Sequence, residues 1–141
     1  MSDVTHIAFS DESHHNIGRF RCISMVSLKS EHRKLISDKL QSILASEGVK
    51  EFKWTRTRGI KERNIGIKLL NESVRYALKG MIRIDVLVWD IEDSRHKIRD
   101  RDDVANLQRM YYHIFKNVLS KRWPDNSSWI LYPDQNTAID W

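Results

Sequence analysis

The sequence has few of the residues that cross-link a chain or interrupt regular structure. Cys22 is the only cysteine among 141 residues, so the chain alone can form no intramolecular disulfide and no thiolate zinc cluster. With two prolines and five glycines, it contains no linker that stands out by composition. These absences exclude the disulfide-rich secreted scaffolds and argue against the disordered and fibrous classes.

Long apolar runs are also missing. No segment approaches the roughly 18 consecutive apolar residues of a membrane-spanning helix, and the N-terminus lacks the pattern of a secretory signal. Together with the single cysteine, this predicts a soluble, cytoplasmic protein without a membrane partner. The length and the apolar fraction of 40% predict one domain over residues 1–141.

The positive charge is concentrated in one part of the chain. The formal net charge is +5, and residues 50–68 contain seven of the basic side chains: Lys50, Lys53, Arg56, Arg58, Lys61, Arg63 and Lys68. Such a cluster favours a nucleic-acid partner, because phosphate contacts supply most non-specific affinity. Trp54, within the cluster, could stack on an unpaired base. Equally, Trp54 could anchor a core beside a solvated basic face.

The first half of the chain predicts two strands followed by two helices. Residues 6–10 and 20–28 are rich in strand-forming side chains and predict a hairpin. Ser30 can cap a first helix that ends near Gly48. A second helix is predicted over residues 61–78, and the following apolar residues share one of its faces: Ile67, Leu70, Val74, Ala77 and Leu78.

The second half predicts a strand, a helix and a last strand. Residues 81–89 alternate Ile84, Val86 and Val88 with other side chains, and we expect this strand to be internal. Asp102 or Asp103 should cap a helix that runs to about residue 122, and residues 129–132 form the last strand. The fold class is therefore α/β, a mixed sheet flanked by helices in the order strand-strand-helix-helix-strand-helix-strand.

Acidic side chains follow two of the predicted strands. Asp11 and Glu12 follow the first strand, and Asp134 follows the last. Ligand groups commonly project from the carboxyl ends of strands in open α/β sheets. If the two strands are neighbours, Asp11 and Asp134 come within reach of one hard cation such as Mg²⁺. The alternative is that both carboxylates are solvated loop residues.

Other acids and histidines are weaker candidates for chemistry. Glu51 lies beside the basic cluster, a combination of carboxylate and cations that suits phosphodiester chemistry. His6, His14 or His15 could join Asp11 at a transition metal, although the adjacent pair would point to opposite sides of an extended segment. The acids between residues 90 and 103 alternate with arginines, which favours local charge compensation over a metal site.

Three short motifs resemble a bacterial family, domain-of-unknown-function family 3800. They are Phe9-Ser10-Asp11-Glu12-Ser13, Glu51-Phe52-Lys53-Trp54 and Ile130-Leu131-Tyr132-Pro133-Asp134. The resemblance implies an RNase H-like nuclease that uses Mg²⁺ or Mn²⁺. It assigns the metal to Asp11, Glu51 and Asp134, makes Glu12 a catalytic neighbour, and brings Lys53 near phosphate. The wider basic cluster, with Trp54, Arg56, Arg58 and Lys61, would hold nucleic acid.

Two departures from the family pattern bear on activity. His14 stands where the family has glycine, which adopts more backbone conformations than histidine. The family's fold usually carries a last acidic ligand on a C-terminal helix, and the chain ends at Trp141 before such a helix. These departures favour two alternatives to a nuclease: an inactive RNase H-like module that binds nucleic acid or protein, and a subunit of a larger assembly or homo-oligomer.

Overall fold

The computed structural model describes residues 4–13 and 17–134. Its strands and main helices follow each other as β1 (His6–Ser13), β2 (Phe20–Lys29), α1 (Arg33–Ser46), α2 (Ile60–Leu78), β3 (Ile82–Asp90), α3 (Asp103–His113) and β4 (Trp129–Pro133). A π-helical turn, Ile114–Val118, continues α3 into the short helix α4 (Leu119–Arg122). The predicted α/β class is confirmed. Among the described helices, none is long and apolar enough to cross a membrane.

The four described strands form one sheet in the order β3-β2-β1-β4. β1 and β4 are parallel, with Ala8 opposite Leu131 and Ser10 opposite Pro133. The first two strands are in contact through the Ser13 hydroxyl and the Cys22 thiol, 3.1 Å apart. This arrangement puts the end of β4 beside Ser10, three residues before the end of β1.

The expectation that the third strand is internal was wrong, because β3 lies at an edge of the described sheet. Ile84, Val86 and Val88 share one face of β3, and all three are exposed. On the other face, Trp89 is buried and Asp85 accepts a hydrogen bond from Arg122 at 2.9 Å. Apolar alternation shows that a strand has two faces, but it does not show how many neighbours pair with the strand.

The chain contains two compact units, and the first comprises Met1–Ser27 and Arg83–Trp141. Its core packs β-strand side chains against the helical segment from α3 to α4. The core residues are Ala8, Ile23, Met25, Trp89, Leu107, Tyr111, Ile114, Leu119 and Trp123. Asp102 caps α3 by accepting a 2.8 Å hydrogen bond from the Ala105 N–H, as one of the two predicted caps.

The second unit, Leu28–Ile82, holds α1 and α2. Gly48 ends the first helix with a φ of 66°, a left-handed conformation that glycine adopts at little cost. In α2, the buried residues are Ile65, Gly66, Glu72 and Tyr76. The apolar face predicted for this helix exists, but Ile67, Leu70, Val74 and Leu78 of that face are exposed.

Candidate carboxylate site

Asp11 and Asp134 occupy equivalent places on neighbouring strands. Ser10 of β1 lies opposite Pro133 of β4, so the next residue on each strand is an aspartate. The Asp134 N–H donates a 2.8 Å hydrogen bond to the Ser10 carbonyl, which continues the parallel pairing past the end of β4. Because parallel neighbours present equivalent residues to the same side of a sheet, the two carboxylates share one face.

The electrostatics of the site show that these carboxylates interact. The pKa of Asp11 is raised above its ordinary value, first by partial burial and then by the negative charges of Asp134 and Glu12. A backbone hydrogen bond from Glu12 acts in the opposite direction, lowering the pKa. Burial and like charges both disfavour the ionised form, and a bound cation would relieve both.

Glu12 has a different environment from Asp11. Successive residues of a strand point to opposite faces, so Glu12 lies on the face of β1 that also carries Ala8. There the Tyr111 hydroxyl of α3 donates a hydrogen bond to Glu12 Oε2. The Tyr111 ring is 2% exposed, and burial together with this hydrogen bond raises the pKa of its hydroxyl well above the ordinary value. The contact holds the Glu12 carboxylate towards α3.

Sequence reasoning missed two residues that shape this edge of the sheet. Tyr111 lies in the helix predicted to run to about residue 122, and nothing local indicates a partner 99 residues away. Arg21 was not singled out, yet it is buried and donates hydrogen bonds to the carbonyls of Ile17 and Gly18. It also pairs with Asp103 at 3.3 Å, so one guanidinium ties the start of β2 to the start of α3.

Glu51 and Lys53, predicted as a metal ligand and a phosphate contact, belong to the second unit. Their side chains form an ion pair, with 3.3 Å between Lys53 Nζ and Glu51 Oε1. Both side chains are largely exposed, so the pair is of the weak, solvent-screened kind. Breaking this ion pair therefore costs little free energy, so either side chain can bind a ligand instead.

Trp54 opens a 3₁₀ turn, Trp54–Arg56, and its side chain is 61% exposed. The indole packs edge-to-face on Phe52, with 5.0 Å between ring centroids. The Phe52 ring packs closely on α2, where a Cβ added to Gly66 would lie 3.0 Å from it. Phe52 thus contacts one part of the Trp54 indole, and most of the indole remains exposed to solvent. Arg56, Arg58 and Lys61 are exposed as well.

The described His, Cys, Asp and Glu side chains form no metal cluster, and this includes the predicted ligands Asp11, Glu51 and Asp134. Within residues 4–13 and 17–134, no group of three or more His, Cys, Asp or Glu side chains is arranged to hold a metal ion. His6 packs its ring against Trp123 and Trp129, at centroid distances of 4.7 and 4.9 Å. In the acidic loop, Asp93 pairs with Arg95 at 2.7 Å. The predictions for His14 and His15 lie outside the described residues.

Two proteins of Methanothermobacter thermautotrophicus are similar to this chain. One, named "Uncharacterized protein ORF2'", is 43% identical over 148 residues, covering 99% of this chain and 51% of the relative. The other, "Uncharacterized protein ORF2", is 40% identical over 141 residues, covering 94% of this chain and 49% of the relative. The chain therefore spans about half the length of these curated relatives. No family model matches the chain, and no solved structure does. Its resemblance to a bacterial family stays a prediction from three motifs.

Proposed function

We propose that this protein is a divalent-metal-dependent phosphodiesterase of RNase H-like fold that acts on nucleic acid. The observation that supports this most is the pairing of Asp11 and Asp134 on one face of parallel neighbouring strands. Like charges brought close together destabilise each other. A cation that binds between the two carboxylates relieves this repulsion, and the relief favours cation binding.

The donor set fits a hard cation. Carboxylate oxygens are the ligands that Mg²⁺ and Mn²⁺ favour, and Mg²⁺ commonly uses one or two carboxylates and keeps several waters. Asp11 and Asp134 would hold the ion, which when bound supplies an activated water and stabilises the leaving oxygen. Glu12, held by Tyr111, adds negative charge beside the pair without sharing its face.

The roles proposed for the second unit follow from its exposed charges. Glu51 is the acidic neighbour of Lys53 in the second unit, and Lys53 is the proposed phosphate contact. Their mutual ion pair is solvent-exposed and so can be exchanged. Arg56, Arg58 and Lys61 extend the cationic surface, and the open face of Trp54 suits stacking on an unpaired base.

The test is metal binding and cleavage measured on the same samples. Mg²⁺ or Mn²⁺ is titrated calorimetrically into the protein and into Asp11→Asn and Asp134→Asn, and cleavage of labelled DNA and RNA oligonucleotides is assayed in parallel. We expect both variants to lose metal binding and at least 100-fold in cleavage, as positioned metals dominate such reactions. Asp38→Asn, an exposed carboxylate of α1, is the control and should retain both. Undiminished cleavage by Asp11→Asn would refute the proposal.

A second candidate function is an inactive module that binds nucleic acid without metal. The exposed indole of Trp54 beside Arg56 and Arg58 favours it, since these side chains need no carboxylate pair to act. Binding of a labelled single strand in EDTA should then weaken steeply with salt and fall in Trp54→Ala and Arg56→Ala. If binding in EDTA is strong and neither Mg²⁺ nor Mn²⁺ gives any cleavage, this candidate replaces the first.

A further inference from the structure

Helix α2 exposes an apolar stripe that one basic residue, Arg63, interrupts. The side chains of Ile60, Ile67, Leu70, Val74 and Leu78 are between 49% and 84% exposed. At 100° per residue they fall within a narrow sector of the helix, opposite the face that carries Ile65 and Tyr76. Single exposed aliphatic residues are common, but a row of five on one helix marks an interaction surface.

The spacing of the stripe is that of a helix that packs on another helix. Ile60, Ile67 and Val74 recur every seven residues, at the position called a in a heptad. Leu70 then occupies d and Leu78 occupies e. The three a positions are β-branched, and the d positions hold Arg63, Leu70 and Ala77. Side chains at a and d fill the seam between two packed helices.

The exposed area is large enough for a weak but specific contact. These five side chains expose on the order of 600 Å², the upper end of the range for the largest apolar patch on a typical monomer. Two such stripes facing each other would bury at most about 1,200 Å², which corresponds to a weak, transient interface. A second copy therefore provides the matching area without any further partner.

The charges along the helix suit a second copy as well. The residues bordering the stripe at heptad positions e and g include Asn64, Asn71, Gly66 and Ser73, none of which is charged. The basic residues Lys61, Lys68 and Arg75 share position b, which stays outside a two-helix seam. No like charges would thus meet at the borders of the seam.

We propose that two copies of this chain associate through antiparallel α2 helices. Arg63 sets the direction, because it occupies a d position. Parallel helices would put both Arg63 side chains in one layer, at an electrostatic cost. In the antiparallel arrangement Arg63 lies against Val74 of the second copy, and its aliphatic stem covers that side chain while the guanidinium reaches water. Ile67 then packs on Leu70 of the second copy.

Analytical ultracentrifugation across a wide range of protein concentration tests this proposal. The expected result is a reversible shift from the 16.7 kDa monomer to twice that mass, which Ile67→Lys or Val74→Lys weakens at least tenfold. Leu35→Lys, an exposed leucine of α1, is the control and should dimerise like the unmodified chain. Circular dichroism checks that each variant is folded. A monomer at every concentration, or a dimer that both stripe variants leave intact, overturns the proposal.

Cross-linking tests the direction. In a Cys22→Ser background, Asn64→Cys and Asn71→Cys chains are mixed and oxidised. A disulfide between the two different variants is expected from antiparallel helices, whose e positions meet across the seam. Cross-linking of Ile67→Cys chains with themselves in preference to this mixed pair overturns the antiparallel arrangement.

Discussion

The carboxylate of Asp11 is destabilised in the folded protein by partial burial and by the charges of Asp134 and Glu12, which raise its pKa. A raised pKa means that the folded state holds the proton more tightly than the unfolded chain does. Stability contributed by the protonated form is therefore lost as pH rises from the ordinary value of 3.8 through the folded pKa. In EDTA at neutral pH, Asp11→Asn should accordingly have a higher melting temperature than the unmodified protein.

Two controls make this prediction specific. The difference in melting temperature should shrink as pH falls towards 3.8, where the carboxylate of Asp11 is neutralised. Adding Mg²⁺ should raise the melting temperature of the unmodified protein and not that of Asp11→Asn, because only the former binds the ion. An Asp11→Asn protein that is less stable than the unmodified chain in EDTA at neutral pH would contradict the repulsion described for this site.

The hydrogen bond from Tyr111 to Glu12 gives a second test at single residues. Tyr111→Phe keeps the ring in the core and removes the buried donor to a carboxylate. Hydrogen bonds to charged groups contribute about 1.5–3 kcal/mol, so we expect a loss of that size in urea unfolding. Tyr112→Phe, at an exposed neighbouring position, should change stability by less than about 0.5 kcal/mol. Equal losses of unfolding free energy in the two variants would mean that the hydrogen bond to Glu12 does not stabilise the protein more than an exposed tyrosine hydroxyl does.

Among the elements, α3 depends on its N-terminal cap. The Asp102 carboxylate accepts a 2.8 Å hydrogen bond from the Ala105 N–H and lies at the positive end of the helix dipole. Asp102→Ala should cost about 1 kcal/mol of unfolding free energy, measured by urea titration. Asp102→Ser should recover most of it, because serine also caps helices. No recovery with serine would show that the negative charge, rather than the cap, is what stabilises α3.

The elements also show which signals in the sequence are sufficient. The cap at Asp102 and the glycine at Gly48 are local signals, and both are found where the sequence predicts a helix boundary. Whether a strand lies at the edge or in the centre of a sheet depends on contacts between residues far apart in the sequence. The same is true of which face of α2 is buried. The alternation in β3 and the apolar spacing in α2 carry no such information, and at both elements the apolar face is exposed.

The residues of the candidate site likewise include some that a local sequence pattern indicates and others that depend on distant contacts. An acidic residue at the end of an apolar run is a local pattern, and for Asp11 and Asp134 it marked two side chains that a parallel strand pair brings together. The expectation that Asp11 and Glu12 follow the first strand was wrong, because β1 continues through them to Ser13. The contact of Glu12 with Tyr111 joins residues far apart in the chain, and the buried Arg21 depends on the turn before β2. Neither has a periodicity or motif of its own. Both follow only from the packed first unit.

At the scale of the whole molecule, the two units differ in how much core they contain. The first unit has a cluster of nine buried residues. In the second, the buried apolar side chains of the two helices are Ile36, Ile43, Ile65 and Tyr76, while α2 leaves its apolar stripe exposed. Regions with few buried apolar contacts open at lower free energy than the main core.

Native hydrogen exchange followed by mass spectrometry should therefore separate the units. At low protein concentration, amides of α1 and α2 should exchange at least about tenfold faster than those of β1, β2 and α3. Raising the concentration should slow exchange in α2 if the stripe binds a second copy, since association stabilises the bound form, and Ile67→Lys should abolish that slowing. Uniform protection across both units at low concentration would mean that the chain opens only as one cooperative structure.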